Sequence, residues 1–254
     1  MLRFSDIPAD SFLGRASRKC LSAIPKDWTV PVLQGPMRGL RWIVGAQNHG
    51  MWLGSFEAEK QIAISKFLRP GQTFYDIGAN TGFFTLLGAR CVGASGRVVA
   101  VEPLPRNIEM MEKHIAINDI SNVLVVGKAI SNFVGTARFS VEGYATSKIS
   151  EEGQTTVEVT TLDALVEEIG SPPDLVKIDI EGTEIDLLRG GKKVLGKFRP
   201  VIILDVHSKE IFNNLLEIVP GLGYEIKELD GTDVKLAGHS GEVVLVPTEW
   251  RTGR

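Results

Sequence analysis

The chain has 254 residues, 31 acidic against 28 basic side chains, a formal net charge of -3, 43% hydrophobic residues and 23% charged ones. That composition suits one globular α/β core and argues against a polyanionic partner such as RNA or DNA, which calls for a basic surface. Cys20 and Cys91 lie far apart without metal-like spacing, which excludes a disulfide framework and a cysteine zinc site.

The first fourteen residues carry Asp6 and Asp10 and no continuous apolar core, so they fail as a secretory leader. No run of the chain reads as a membrane span, and a cytoplasmic location is expected. Residues 1–50 mix Pro8, Pro25, Pro31 and Pro36 with Trp28 and Trp42. They read as an N-terminal extension whose tryptophans need a surface to bury against. Such a segment covers a ligand site or makes a homodimer contact. Residues 51–254 then form one domain. Residues 57–68 predict a helix with Ala58, Ile62 and Phe67 on its inner face.

The stretch Asp76-Ile77-Gly78-Ala79-Asn80-Thr81-Gly82 follows a β-type run and opens an apolar helix at 83–92, which also takes Cys91 as a core residue. Strand, glycine turn and helix N-terminus bring backbone N–H groups against a ligand, and Gly78 and Gly82 offer positions without a Cβ. A dinucleotide loop reads G-x-G-x-x-G; here the spacing is D-x-G-x-x-x-G, with Asp76 in place of the first glycine. An acid there disfavours a pyrophosphate and suits a ligand that carries a cation, such as S-adenosylmethionine. The next strand, 98–101, ends in Glu102-Pro103, an acid placed to accept hydrogen bonds from ribose hydroxyls. A helix at 107–117 and a strand at 123–126 follow. Beyond them Ala129 and Ile130 would meet the adenine, by a backbone N–H and an apolar side chain, with Lys128 solvated.

Two β-type runs, 136–141 and 155–160, bracket a polar loop between Gly143 and Gly153, where Tyr144 to Lys148 would line an acceptor pocket. A helix at 163–169 precedes the strand Leu175-Val176-Lys177-Ile178, which runs into Asp179, Glu181 and Glu184. Asp179 and Glu181 fall where open α/β sheets bind ligands, with Lys177 as an internal partner, whereas Glu184 suits the start of the helix that follows. Strand 201–206 leads to His207, the natural base by residue type. A helix at 209–219 and two runs, 224–229 and 242–246, close the chain as an antiparallel hairpin. The alternation implies right-handed crossovers and a seven-stranded, mostly parallel sheet.

YDIGANTGFFTLLGAR, the strand-end VEP, VKIDIEGTEIDLLRGG and PVIILDVHS together resemble the FkbM-type methyltransferases, over roughly residues 50 to 247. Asp205 stands where that family usually carries a glutamate. The resemblance implies the class I methyltransferase Rossmann-like fold and S-adenosylmethionine as cofactor, held by Asp76, Gly78, Asn80, Thr81, Gly82, Glu102, Pro103, Ala129, Ile130 and Asp179. It implies O-methylation of a hydroxyl on a small molecule or sugar, with Asp179, His207 and Glu181 as candidate catalytic groups. It also suggests that Trp52, Gly54 and Glu57 close over the methionine end. Asp179, Glu181, Asp205 and His207 could together hold a hard divalent ion, but their spacing is no metal signature and the expected site is metal-free. Two other readings are a catalytically silent cofactor-binding module and a nucleic-acid or protein methyltransferase. The N-P-P-Y motif of amino-methyltransferases is absent, since the strand ends Asp179-Ile180-Glu181-Gly182.

Overall fold

In the computed structural model, residues 11, 19, 21–142, 146–149, 155–180, 182–234 and 241–249 are described. The chain opens with two short strands, β1 (Thr29–Pro31) and β2 (Arg41–Ile43), and the helices His49–Leu53 and Ala58–Phe67. Strand β3 (Thr73–Ile77), helix Phe83–Val92, β4 (Arg97–Val101), helix Pro105–Ile117 and β5 (Val123–Val126) follow in strict alternation. Then come β6 (Ala129–Ile130), β7 (Gly135–Glu142), β8 (Thr146–Ile149), β9 (Thr155–Thr160) and helix Leu162–Ile169. The last third holds β10 (Leu175–Ile178), helices Glu184–Gly190 and Lys192–Phe198, β11 (Val201–Val206), helix Lys209–Ile218, β12 (Tyr224–Lys227) and β13 (Gly241–Pro247).

Seven strands pair in the order β12-β13-β11-β10-β3-β4-β5. All contacts from β11 to β5 are parallel, and β13 alone is reversed, pairing antiparallel with both β11 and β12. The expected hairpin is therefore present, with its second strand inserted inside the sheet edge. Strands buried on both faces need continuous apolar runs, which is what Val98 to Val101 and Val201 to Leu204 supply. Side chains alternate between two cores. Phe74 and Val98 pack with helices Ala58–Phe67 and Phe83–Val92. Tyr75, Ile77, Val99 and Val101 pack with Leu165, Leu187 and Phe212 of the opposite layer. Thr161 and Ser208 cap the helices that follow them, accepting from Ala164 N and Ile211 N, each cap contributing about 1 kcal/mol. From β3 the chain winds outward through β4 and β5, then returns to β10 and β11 on the other side. The order reverses between β3 and β10, and the crevice beyond their carboxyl ends is where such sheets bind ligands.

Three expectations need correction. Thr146 to Lys148 are not loop: they lie in β8, paired with β7 in a four-stranded sheet of order β6-β9-β7-β8, because register with Ser140 to Glu142 outweighs their polar composition. Tyr144, Ala145 and Gly153 lie outside the described residues. In helix Ala58–Phe67, Ile62 is 54% exposed and Phe67 only partly buried, whereas Lys60, Gln61, Ala63 and Ile64 face inward. A lysine inside breaks the apolar periodicity, so the inner face is misread by about one position. Of the two N-terminal tryptophans, Trp42 is fully buried with Val32 and Met37 in the core shared with Phe74, whereas Trp28 is 58% exposed. Cys91 is half-buried against that core, and burial pushes its thiol pKa up. Among the described residues, no helix is long and apolar enough to cross a membrane.

Candidate active site

Most N–H groups of the glycine turn at the end of β3 bond to the protein itself. Gly78 N–H and Ala79 N–H both donate to Val101 O, at 3.0 Å each, and Asn80 N–H donates to Glu102 Oε2 at 2.9 Å. The expectation that the turn's N–H groups face a ligand is corrected for these three: they tie the turn to β4, which leaves the Thr81 N–H and the uncapped start of helix Phe83–Val92 for a ligand. The glycines answer close approach by protein atoms. With φ at +74°, a Cβ on Gly78 would collide with the Asp179 carbonyl, and one on Gly82 would sit 2.7 Å from Met111 Cγ. Asn80 takes the left-handed conformation at φ +48° without being glycine, which asparagine tolerates better than most residues.

Asp76 is fully buried. Thr85 Oγ1 donates to one of its oxygens at 2.6 Å, and Lys177 Nζ lies 3.2 Å from the other. Its charge is thus neutralised inside the fold and is not presented to a cationic ligand as expected; it anchors the turn instead. Lys177 also donates to Gly78 O at 2.8 Å and reaches Asp179 at 3.6 Å. One buried ammonium therefore holds the ends of β3 and β10 together, as its alternation with Asp179 along the strand suggested.

Glu102 ends β4 as expected and is nearly enclosed. Besides Asn80 N–H, its carboxylate accepts Leu104 N–H and Asn107 Nδ2, both at 3.1 Å. Burial nonetheless raises its pKa, against these bonds. A carboxylate has about four acceptor positions, so about one remains for a ligand hydroxyl. Thr81 Oγ1 is buried and has no hydrogen-bond partner among the described residues. Pro103 follows, half-buried. Ala129 and Ile130 are buried in β6, paired with Val159 and Thr160, and the Ile130 side chain packs among Leu162 and Leu165. What Ile130 can offer an adenine is main chain, not its side chain. Lys128 pairs at the surface with Glu168 at 3.0 Å.

Asp179 and His207 come together at the ends of β10 and β11. His207 Nε2 lies 3.6 Å from Asp179 Oδ1 and 3.6 Å from Glu184 Oε1. Both His207 and Asp179 are about one-third exposed, so a solute can reach them, whereas Glu184 is fully buried. Burial opposes ionisation of Asp179, but Lys177, the His207 hydrogen bond and Lys60 outweigh it and hold its carboxyl well below the usual range. Glu184 accepts Gly182 N–H at 3.2 Å. It serves the helix start as expected and also faces His207, which a reading of local sequence missed. Glu181 lies outside the described residues.

Sequence reasoning also missed Lys60. Its ammonium, buried by helix Ala58–Phe67, donates to both Asp205 oxygens at 2.7 and 2.8 Å, meets Glu57 at 2.5 Å and lies 3.5 Å from Glu242. Burial alone would lower the Lys60 pKa, but Asp205, Asp179 and Glu57 raise it well above the ordinary value. Burial and the neighbouring Asp179 push Asp205 up to about 6 despite its bond to Lys60. Asp205 is committed to Lys60, and among the described residues no group of three His, Cys, Asp or Glu side chains is arranged to hold a metal ion. Glu57, at φ +42°, belongs to this cluster. Trp52 is buried with its Nε1 on His49 at 3.1 Å, and a Cβ on Gly54 would strike Gln34, so both serve packing.

Behind the turn, His114 of helix Pro105–Ile117 is buried, and burial lowers its pKa from 6.5 to about 4. The unfolded chain therefore takes up a proton below pH 6.5 that the folded chain refuses until about 4. Stability contributed by neutral His114 is complete above 6.5 and declines toward 4, by about 3 kcal/mol in all. Urea unfolding of the wild type and His114→Gln should show this loss as a difference between the two profiles. The opposite drift from Asp205, whose raised pKa favours the fold as pH drops below about 6, cancels in the subtraction. Parallel profiles would contradict a neutral buried His114.

A seven-stranded sheet with one reversed strand, a glycine turn after β3 and an acid after β4 defines a class I methyltransferase. A family model, the methyltransferase FkbM domain, matches residues 76–226, and the chain belongs to that family. It is similar to the hexuronic acid methyltransferase AglP of Haloferax volcanii, 24% identical over 77% of this chain and 72% of the relative. It is also similar to protein-L-isoaspartate O-methyltransferase 2 of Arabidopsis thaliana, 36% identical over 31% of this chain and 25% of that one. The solved FkbM methyltransferase of Methylobacillus flagellatus KT aligns at a TM-score of 0.48 and 15% identity over 73% of this chain, which spans half of that one.

Proposed function

We propose that this methyltransferase uses S-adenosylmethionine to methylate a hydroxyl oxygen on a sugar or small molecule. The observation that carries the reading is the convergence of Asp179 and His207, 3.6 Å apart and open to solvent, at the carboxyl ends of adjacent strands beside the turn that Glu102 fixes. The cofactor fits the groups present. Glu102 has an acceptor position to spare for a ribose hydroxyl, and the Thr81 hydroxyl is buried and unpartnered among the described residues. Asn80, Pro103, and the main chain of Ala129 and Ile130 would complete the hold, and Asp179 would border it.

Bound S-adenosylmethionine supplies an activated methyl group on a sulfonium. The chain must then position the acceptor and remove its proton. Asp179, kept ionised by Lys177, would orient the His207 imidazole and accept a hydrogen bond from a sugar hydroxyl next to the reacting one. His207 would take the reacting hydroxyl's proton as its oxygen bonds the methyl carbon and the carbon–sulfur bond breaks, with S-adenosylhomocysteine leaving, and the imidazolium would be stabilised by Asp179 on one side and buried Glu184 on the other. A sugar acceptor is supported by the likeness to a hexuronic acid methyltransferase.

Replacing Glu102 by Ala should weaken S-adenosylmethionine binding about ten- to a hundredfold, the scale of one or two charge-assisted hydrogen bonds. Unchanged affinity would remove Glu102 from the site. The function itself is tested by incubating the protein with radiolabelled S-adenosylmethionine and a panel of sugars, uronic acids and small alcohols. Label on an acceptor oxygen is expected. Tight cofactor binding with no transfer to any hydroxyl would favour the silent binding module.

A further inference from the structure

Two side chains that no motif contains reach the cofactor turn from behind. Gln47 Nε2 donates to Asn80 Oδ1 at 2.9 Å, and His114 Nδ1 donates to Thr81 O at 2.8 Å. The His114 tautomer follows from its other nitrogen, since Nε2 accepts Ile43 N–H at 3.2 Å. The imidazole also stacks on the Trp42 indole, centroids 3.7 Å apart and planes 14° from parallel. One turn further along, Asn118 takes both main-chain groups of Arg41, accepting its N–H at 2.7 Å and donating to its C=O at 2.9 Å. Residues 41–47 are thus fastened to helix Pro105–Ile117 and, through it and directly, to Asn80 and Thr81.

Asn80 is the residue that needs this. It is held left-handed at φ +48°, a conformation that costs a non-glycine residue free energy unless its surroundings impose it. Its N–H is fixed by Glu102 and its side chain by Gln47. Glu102 is the group expected to meet the ribose, so a shift of Asn80 shifts the carboxylate it donates to. We infer that Gln47 and His114 are positioning residues for the cofactor: through Asn80 and Thr81 they hold Glu102 and the turn in the geometry that accepts a nucleoside sulfonium. The segment 41–47 then forms part of the cofactor site. This inference rests on the S-adenosylmethionine reading above.

The test is a double-mutant cycle read by calorimetric titration with S-adenosylmethionine and S-adenosylhomocysteine, with the ligand-free melting temperature recorded for each variant. Gln47→Met keeps the side-chain length and removes the donor. It should weaken binding of both ligands about tenfold, while the melting temperature stays within a degree or two. Asn80→Gly needs no help to adopt a positive φ. In that background Gln47→Met should change affinity less than twofold, because the strained residue it braces is gone. Full affinity in Gln47→Met, or the same tenfold loss in both backgrounds, would overturn the positioning role. Should the wild type itself bind neither ligand, the S-adenosylmethionine reading fails, a result distinct from either of these. His114→Gln supplies the second arm, with weaker binding expected in the folded variant and unchanged affinity counting against the relay through Thr81.

Discussion

Asp179→Ala should lower the rate of methyl transfer about a hundred- to ten-thousandfold while leaving S-adenosylmethionine affinity within a few-fold of wild type. Asp179 is the ionised carboxylate at the mouth of the crevice, kept charged by Lys177 and facing His207. Removing it deletes the acceptor's partner and one of two carboxylates that stabilise the imidazolium. His207→Ala tests the proton transfer separately. A loss of similar size at neutral pH assigns the base, whereas full turnover would make the histidine a bystander. Single-turnover rates with saturating cofactor separate these effects from binding. If chelation abolishes activity and magnesium restores it, the acids act as metal ligands and the metal-free account is wrong.

Lys177→Met should destabilise the fold by about 3–5 kcal/mol, the cost of leaving a buried carboxylate without its counter-charge. Asp76 is fully enclosed, and among the described residues its side-chain partners are Lys177 and the Thr85 hydroxyl. The same ammonium holds Gly78 O and Asp179, so the variant should also loosen the switch point between β3 and β10. Urea unfolding at pH 7 measures the loss. The double variant Lys177→Met with Asp76→Asn should recover part of it, because the orphaned charge is then gone. A loss below about 1 kcal/mol would mean that the Lys177–Asp76 pair does not hold this part of the fold.

The parts of this architecture that local sequence can carry were readable in advance. Apolar runs separated by amphipathic segments yield the alternating order, and polar residues at strand ends give Glu102, Asp179 and His207 their places once the sheet order is known. Residues whose meaning depends on distant partners were not readable. Lys60 looks like a solvent-facing helix lysine until Asp205, 145 positions later, is seen to receive it. Glu184 fits a helix start so well that its approach to His207 is invisible along the chain. Asp76 stands out in local sequence, but the sequence does not show that its charge meets Lys177, 101 residues later. Gly78 and Gly82 both sit at positive φ in the turn, yet the steric demand on Gly78 comes from the Asp179 carbonyl and that on Gly82 from Met111. His114 offered no signal, because its role depends on β2, 71 residues earlier. Apolar periodicity records burial along one element; it does not record which charges meet across the fold.

The most direct test of the central claim is a calorimetric titration of the wild-type chain with S-adenosylmethionine, S-adenosylhomocysteine and NAD at pH 7. Asp76 in place of the first glycine of a dinucleotide loop and an acid after β4 predict one site per chain for the first two ligands and no measurable heat with NAD. Binding of NAD, or failure of both sulfur nucleosides to bind, would contradict the account.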